Sequence, residues 1–102
     1  IKCIQGKLFD VVVDLRKKST NYLRVFTNIL SAKDSNVLYI PKGFAHGFQT
    51  LEDNSIIIYG MTQKYNKSAQ SGLRYNDPKL KIKWPLKKII ISKRDKTFGY
   101  IK

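Results

Sequence analysis

The chain is 102 residues long and 42% hydrophobic, and twenty lysines and arginines against seven aspartates and glutamates give it a net charge of +13. That length supports one domain over residues 1–102 with one modest core and argues against a second. The apolar fraction excludes wholesale disorder, no apolar run approaches the roughly 20 residues of a membrane span, and the single cysteine, Cys3, excludes a disulfide within the chain.

The chain opens on Ile1, and residues 1–5 already read as the interior of a strand, so the natural start is expected upstream; no charged-then-apolar leader is visible. Cys3 reads as a small strand residue in a reducing, cytoplasmic protein. In residues 7–15, Phe9, Val11, Val13 and Leu15 fall on one face and Asp10 and Asp14 on the other, the period of a half-buried strand. Residues 16–21 form a polar turn, and residues 22–30 a second strand favoured by Val25 and Thr27. A polar link over 32–36 leads to a short strand, 37–40, that stops at Pro41.

Residues 41–48 (PKGFAHGF) predict a tight turn shaped by a proline and two glycines, with His46, the only histidine, between small residues. A strand resumes over 48–51, residues 52–55 read as a hairpin-like turn, and residues 56–62 as a strong strand containing Tyr59. Residues 63–72 are a polar loop holding Tyr65, and residues 74–78 another turn. Leu80, Ile82 and Trp84 alternate with lysines until Pro85; residues 89–91 are apolar and residues 92–96 charged and exposed. No stretch makes a convincing amphipathic helix. Short strands joined by Gly, Pro, Asn and Asp turns predict an all-β antiparallel sandwich or barrel.

The basic excess is concentrated late, where Lys79, Lys81, Lys83, Lys87, Lys88, Lys93, Arg94 and Lys96 stand against the single acid Asp95. A field of that sign attracts polyanions. The cations are mostly lysine and no nucleic-acid-binding motif accompanies them, so the segment reads as a solvated lysine-rich surface and nucleic acid is not the expected partner. On residue type alone, His46 reads as a structural turn histidine, Tyr59 as a half-buried strand tyrosine, Asp95 as a surface ion-pair member and Trp84 as a packing residue.

Five segments in order change that reading. Residues 6–16 (GKLFDVVVDLR), residues 39–48 (YIPKGFAHGF), Tyr59 with Thr62 and Tyr65, Asn76-Asp77-Pro78 with Ile82-Lys83-Trp84-Pro85, and residues 91–95 (ISKRD) resemble the dTDP-4-dehydrorhamnose 3,5-epimerase family. The resemblance spans nearly all of this chain and the C-terminal portion of the family's usual length. It implies a cupin-like jelly-roll β-sandwich, here without its N-terminal strands. It also implies a homodimer that works without metal or organic cofactor, on a dTDP-linked 4-keto-6-deoxy sugar inverted at C3 and C5. Protons α to a ketone can be taken by a modest base and returned to the opposite face by an acid, with buried donors near the ketone oxygen stabilising the enolate.

By the same resemblance, Tyr59 falls at the family's acid and Asp95 at the carboxylate that orients the base. His46 falls at a second histidine lining the pocket, Tyr65 at an aromatic near the nucleotide and Arg94 at a phosphate contact. The base histidine itself belongs to an Arg-Gly-Leu-His segment expected upstream of Ile1, as is an active-site lysine. The chain departs from the family at Ser19-Thr20, which lacks an intervening proline, at Gln70 in place of Glu and at Tyr75 in place of Trp. Without the base, these residues are expected to catalyse weakly or not at all; the alternative is a non-catalytic cupin that binds a nucleotide sugar or another polyanion.

Overall fold

A computed structural model describes residues 1–34, 36–60, 72–87, 90–96 and 98–101. The elements within them are β1 (Lys2–Gln5), β2 (Lys7–Asp14), β3 (Val25–Ser31), β4 (Phe44–Thr50), β5 (Ile56–Ile58) and a single helical turn, α1 (Lys93–Lys96). All strand pairing is antiparallel. One sheet has the order β3-β2-β4 and the other is the pair β1-β5.

β2 is the central strand, and this corrects its reading as half-buried. Leu8, Asp10, Val12 and Asp14 point to one face, with Phe26, Asn28 and Leu30 of β3 and Phe44, His46, Phe48 and Thr50 of β4 opposite them. At one end of that face Leu8 and Leu30 pack with Cys3 of β1, joined by Ile1, Leu38 and Ile57. Val11 and Val13 point the other way and pack with Leu80, flanked by Phe9, Val25, Ala45, Ile82, Trp84 and Ile101. The polar half of the alternation is buried too, beneath side chains of the flanking strand and turn such as His46, Arg16 and Ser19: Asp10 is 1% exposed and Asp14 0%. Burial on that scale requires partners, and both aspartates have them.

Other boundaries shift for identifiable reasons. β3 begins at Val25 because Leu23 takes a left-handed φ of 65° and closes the turn, its N–H reaching Asp14 O at 2.7 Å. Residues 37–40 form no strand. Leu38 only exchanges two bonds with Ile1, at 2.8 and 2.7 Å, and Pro41 next to it has no N–H to extend a ladder.

The turn expected over 41–48 is confined to its start, at Gly43 with φ 92°. From Phe44 onward the chain is β4, its pairing with β2 overriding the glycine-rich composition. Residues 52–55 are a corner between sheets and not a hairpin, since β4 pairs with β2 and β5 with β1. Ser55 ties that corner to Lys7, against Gly6, where any side chain would meet the Ser55 hydroxyl at 2.2 Å.

The strand read over 56–62 is assigned only over Ile56–Ile58, and its end beyond Gly60 lies outside the described residues. The alternation over 80–84 holds as burial, with Leu80 inside and Lys81 and Lys83 outside. It forms no strand, because Lys81 adopts a φ of 53° that breaks extended pairing.

Leu8 and Leu30 stand opposite each other at the meeting of the two sheets. Leu8→Ala is expected to lower the unfolding free energy by about 2–5 kcal/mol, read from urea denaturation. A loss below about 1 kcal/mol would show that this cluster is not a core.

Candidate active-site face

The open end of the face shared by β2, β3 and β4 carries Asp10, Val12, Phe26, His46 and Phe48. His46 lies opposite Val12 and reaches diagonally to Asp10, so that its Nε2–H donates to Asp10 Oδ1. With Nε2 against a carboxylate, the neutral ring keeps its proton there and presents Nδ1 as an acceptor. Phe48 stacks on the ring in a tilted arrangement, centroids 6.0 Å apart. Asp10 Oδ2 is buried without a hydrogen-bond partner among the described residues. The result is a buried carboxylate, an imidazole 22% exposed at its side chain and an aromatic wall, an arrangement able to accept a hydrogen bond from a polar ligand group at Nδ1.

Asp14, at the end of the same face, is held differently. Its Oδ1 accepts the backbone N–H of Arg16 at 2.9 Å and Nε–H at 3.1 Å, while Oδ2 accepts Arg16 Nη2–H at 2.9 Å and the Ser19 hydroxyl at 3.0 Å. The Arg16 guanidinium, whose own pKa is raised by the pair, lowers the Asp14 carboxyl from the ordinary 3.8 to about 2, against burial, which acts upward. Arg16 also lies 4.8 Å over the Phe44 ring, which fixes the start of β4 beside the end of β2.

Along β4 runs a cleft of about 980 Å³, lined by His46, Phe48, Trp84, Asp95 and Phe98 among others. Trp84 donates its Nε1–H to Tyr75 O at 2.9 Å and meets Phe9 edge-on at 5.8 Å, the packing role its sequence context suggests. Asp95 sits in α1, its N–H on Ser92 Oγ at 3.2 Å. His46 and Asp95 are thus brought to one cleft, whereas Tyr59 is 64% exposed and does not line it. Tyr65 and the Arg94 side chain lie outside the described residues. The residue missed from sequence is Asp10. Its signal was an acid alternating within an apolar strand, which demands a partner if the strand is central, in a chain with one histidine.

A family model described as dTDP-4-dehydrorhamnose 3,5-epimerase matches residues 1–102. The chain belongs to the dTDP-4-dehydrorhamnose 3,5-epimerase family. It is 40% identical over 101 residues to the dTDP-4-dehydrorhamnose 3,5-epimerase of Methanothermobacter thermautotrophicus, across 96% of this chain and 55% of that protein. With the Escherichia coli K12 protein of the same name it shares 38% over 96 residues, 93% of this chain and 52% of that one.

Among solved structures, the Bacillus anthracis epimerase, determined with TDP and PPi bound, superposes with a TM-score of 0.95 at 39% identity, over 98% of this chain and 57% of that one. A Legionella pneumophila dTDP-6-deoxy-D-glucose-3,5-epimerase in complex with dTDP-4-keto-L-rhamnose gives 0.81 at 33%, over 92% and 50%. The chain spans about half the length of these relatives. The epimerase family's cupin-like, all-β antiparallel fold is therefore the fold of this chain. No helix among the described residues is long and apolar enough to cross a membrane.

Within this epimerase-family face, Asp14 stays ionised in the folded state to about pH 2, whereas the unfolded chain protonates it near ~3.9. The stabilisation it provides is complete above about pH 4 and is lost as pH falls through 2. Asp14→Asn is expected to lower the denaturation midpoint at neutral pH and to flatten the loss of stability across that acid window. Acid titrations of equal slope in both proteins would contradict the assignment.

Proposed function

We propose that these residues form part of the site of a homodimeric, cytoplasmic epimerase that inverts C3 and C5 of a dTDP-linked 4-keto-6-deoxy sugar, without metal or organic cofactor. The observation that carries the proposal is His46 held by buried Asp10 on the open sheet face, at the cleft that Asp95 also lines. It occurs in a chain that superposes at a TM-score of 0.95 on an epimerase holding TDP and PPi.

In this reading the reaction is α-deprotonation followed by reprotonation from the opposite face. Tyr59 gives the proton, Asp95 orients the base histidine and His46 contacts the sugar. Tyr65 lies by the nucleotide and Arg94 meets a phosphate. The base is a histidine of an Arg-Gly-Leu-His segment; the 102 residues contain no such segment and His46 as their only histidine. Taken alone, these residues therefore bind without efficient proton exchange.

The net charge of +13, a field that attracts polyanions, favours a second reading, a cupin that binds a nucleotide sugar or another polyanion without turnover. Solvent deuterium incorporation at C3 and C5 of the keto sugar separates the two. Under the epimerase reading, in the full-length protein with the base segment present, Tyr59→Phe slows incorporation by about 10²–10⁴-fold, with TDP affinity held within about threefold. If TDP binds and Tyr59→Phe leaves incorporation at its background rate in both proteins, the binding reading replaces the first. If TDP does not bind at all, both fail.

A further inference from the structure

The segment that carries Asp95 has little structure of its own. α1 is one turn, Lys93–Lys96, and a lone turn is not stable in water. Among the described residues no strand pairing involves residues 92–101. Besides the packing of Ile101 on the Val11–Val13 core, a short stretch, residues 72–77, holds the segment. At Gly72 a side chain is excluded, because a Cβ there would meet the Phe98 ring at 2.3 Å.

Arg74 Nη1 donates to two carbonyls, Lys96 O and Phe98 O, each at 3.3 Å, while its Nε–H is held by Asn76 Oδ1 at 2.9 Å. The guanidinium also covers the Tyr100 ring at 4.8 Å. Asp77, 2% exposed, accepts the Ile101 N–H at 2.6 Å and the Lys79 N–H at 2.9 Å. Arg74 and Asp77 are fixed to each other by the bond from Asp77 N–H to Arg74 O at 3.1 Å.

Lys96, whose carbonyl Arg74 takes, is the last residue of α1 and directly follows Asp95. Carbonyls at a helix end have no partner within the helix, so a fixed donor there sets where the turn lies. A planar guanidinium can serve two carbonyls and an aromatic face at once; an ammonium cannot reproduce that fork.

We infer that Arg74, backed by Asp77, is a positioning residue that sets the Asp95 carboxylate at the cleft. The inference rests on the epimerase reading for what Asp95 does there, and on the hydrogen bonds alone for how Asp95 is held.

The test compares Arg74→Lys, Asp95→Asn and the double variant in the full-length protein with the base segment present. Arg74→Lys is expected to slow deuterium incorporation into the keto sugar by about tenfold to hundredfold, the cost of a misplaced group, with KM changed less than about threefold. Because Arg74 acts through Asp95, the double variant is no slower than Asp95→Asn alone. Multiplying effects would mean that Arg74 acts elsewhere and would overturn the proposal.

Two readouts need no turnover. In Arg74→Lys, amide exchange at Phe98 and Ile101 accelerates and the side-chain carboxyl ¹³C resonance of Asp95 moves, while the core amides of Leu8 and Val11 keep their protection. Unchanged exchange and an unmoved Asp95 resonance would overturn the clamp itself. If both change but Asp95→Asn incorporates deuterium at the full rate, the clamp stands and the orienting role given to Asp95 under the epimerase reading is the part that fails.

Discussion

The structure depends on one constraint: β2 is buried on both faces while carrying two aspartates. A central strand must place every second residue in each of two layers, and here one of those rows reads Leu8, Asp10, Val12, Asp14. An uncompensated carboxylate in either position would cost several kcal/mol by order of magnitude. The chain answers twice, in different chemical terms. Asp14 is matched by a permanent cation and a hydroxyl from the turn that follows it. Asp10 is matched by an imidazole from the neighbouring strand. The first match closes the turn between β2 and β3; the second leaves a histidine fixed on an open face, where a ligand can meet it.

The two aspartates also divide the sheet by task. The Leu8–Leu30 end is closed against β1 and β5 and holds the sheets together. The Asp10–Asp14 end is open, lined with Phe26, Phe48 and His46. On the reverse side, the segments after residue 72 cover Val11 and Val13 and bring Asp95 around to the edge of β4. Folding and site geometry are therefore coupled through β2, which has the Val11–Val13 core on one face and, on the other, core at its Leu8 end and the candidate chemistry at its Asp10–Asp14 end.

Much of this was legible in residue order. Alternation located β2, Gly and Pro punctuation separated the strands, and the all-β class followed from both. Legibility failed where a partner distant in sequence decides the outcome. Nothing local to residues 41–48 says that Phe44 onward will pair with β2, and nothing local to residues 52–55 says that the flanking strands join different sheets. Period-2 alternation shows which residues share a face but not whether that face is covered, so Asp10 and Asp14 read as a polar side. His46 and Asp95, which line one cleft, were singled out by resemblance. Asp10 was not, because its role appears only when His46, 36 positions away, is laid diagonally across from it.

The most direct test of this account is the proton NMR signal of the His46 ring at neutral pH. If buried Asp10 holds the imidazole through Nε2, a slowly exchanging downfield N–H resonance correlates with His46 Nε2 and disappears in Asp10→Ala. A ring proton that exchanges freely with solvent, or a resonance that survives Asp10→Ala unchanged, would contradict the pairing on which the candidate site is built.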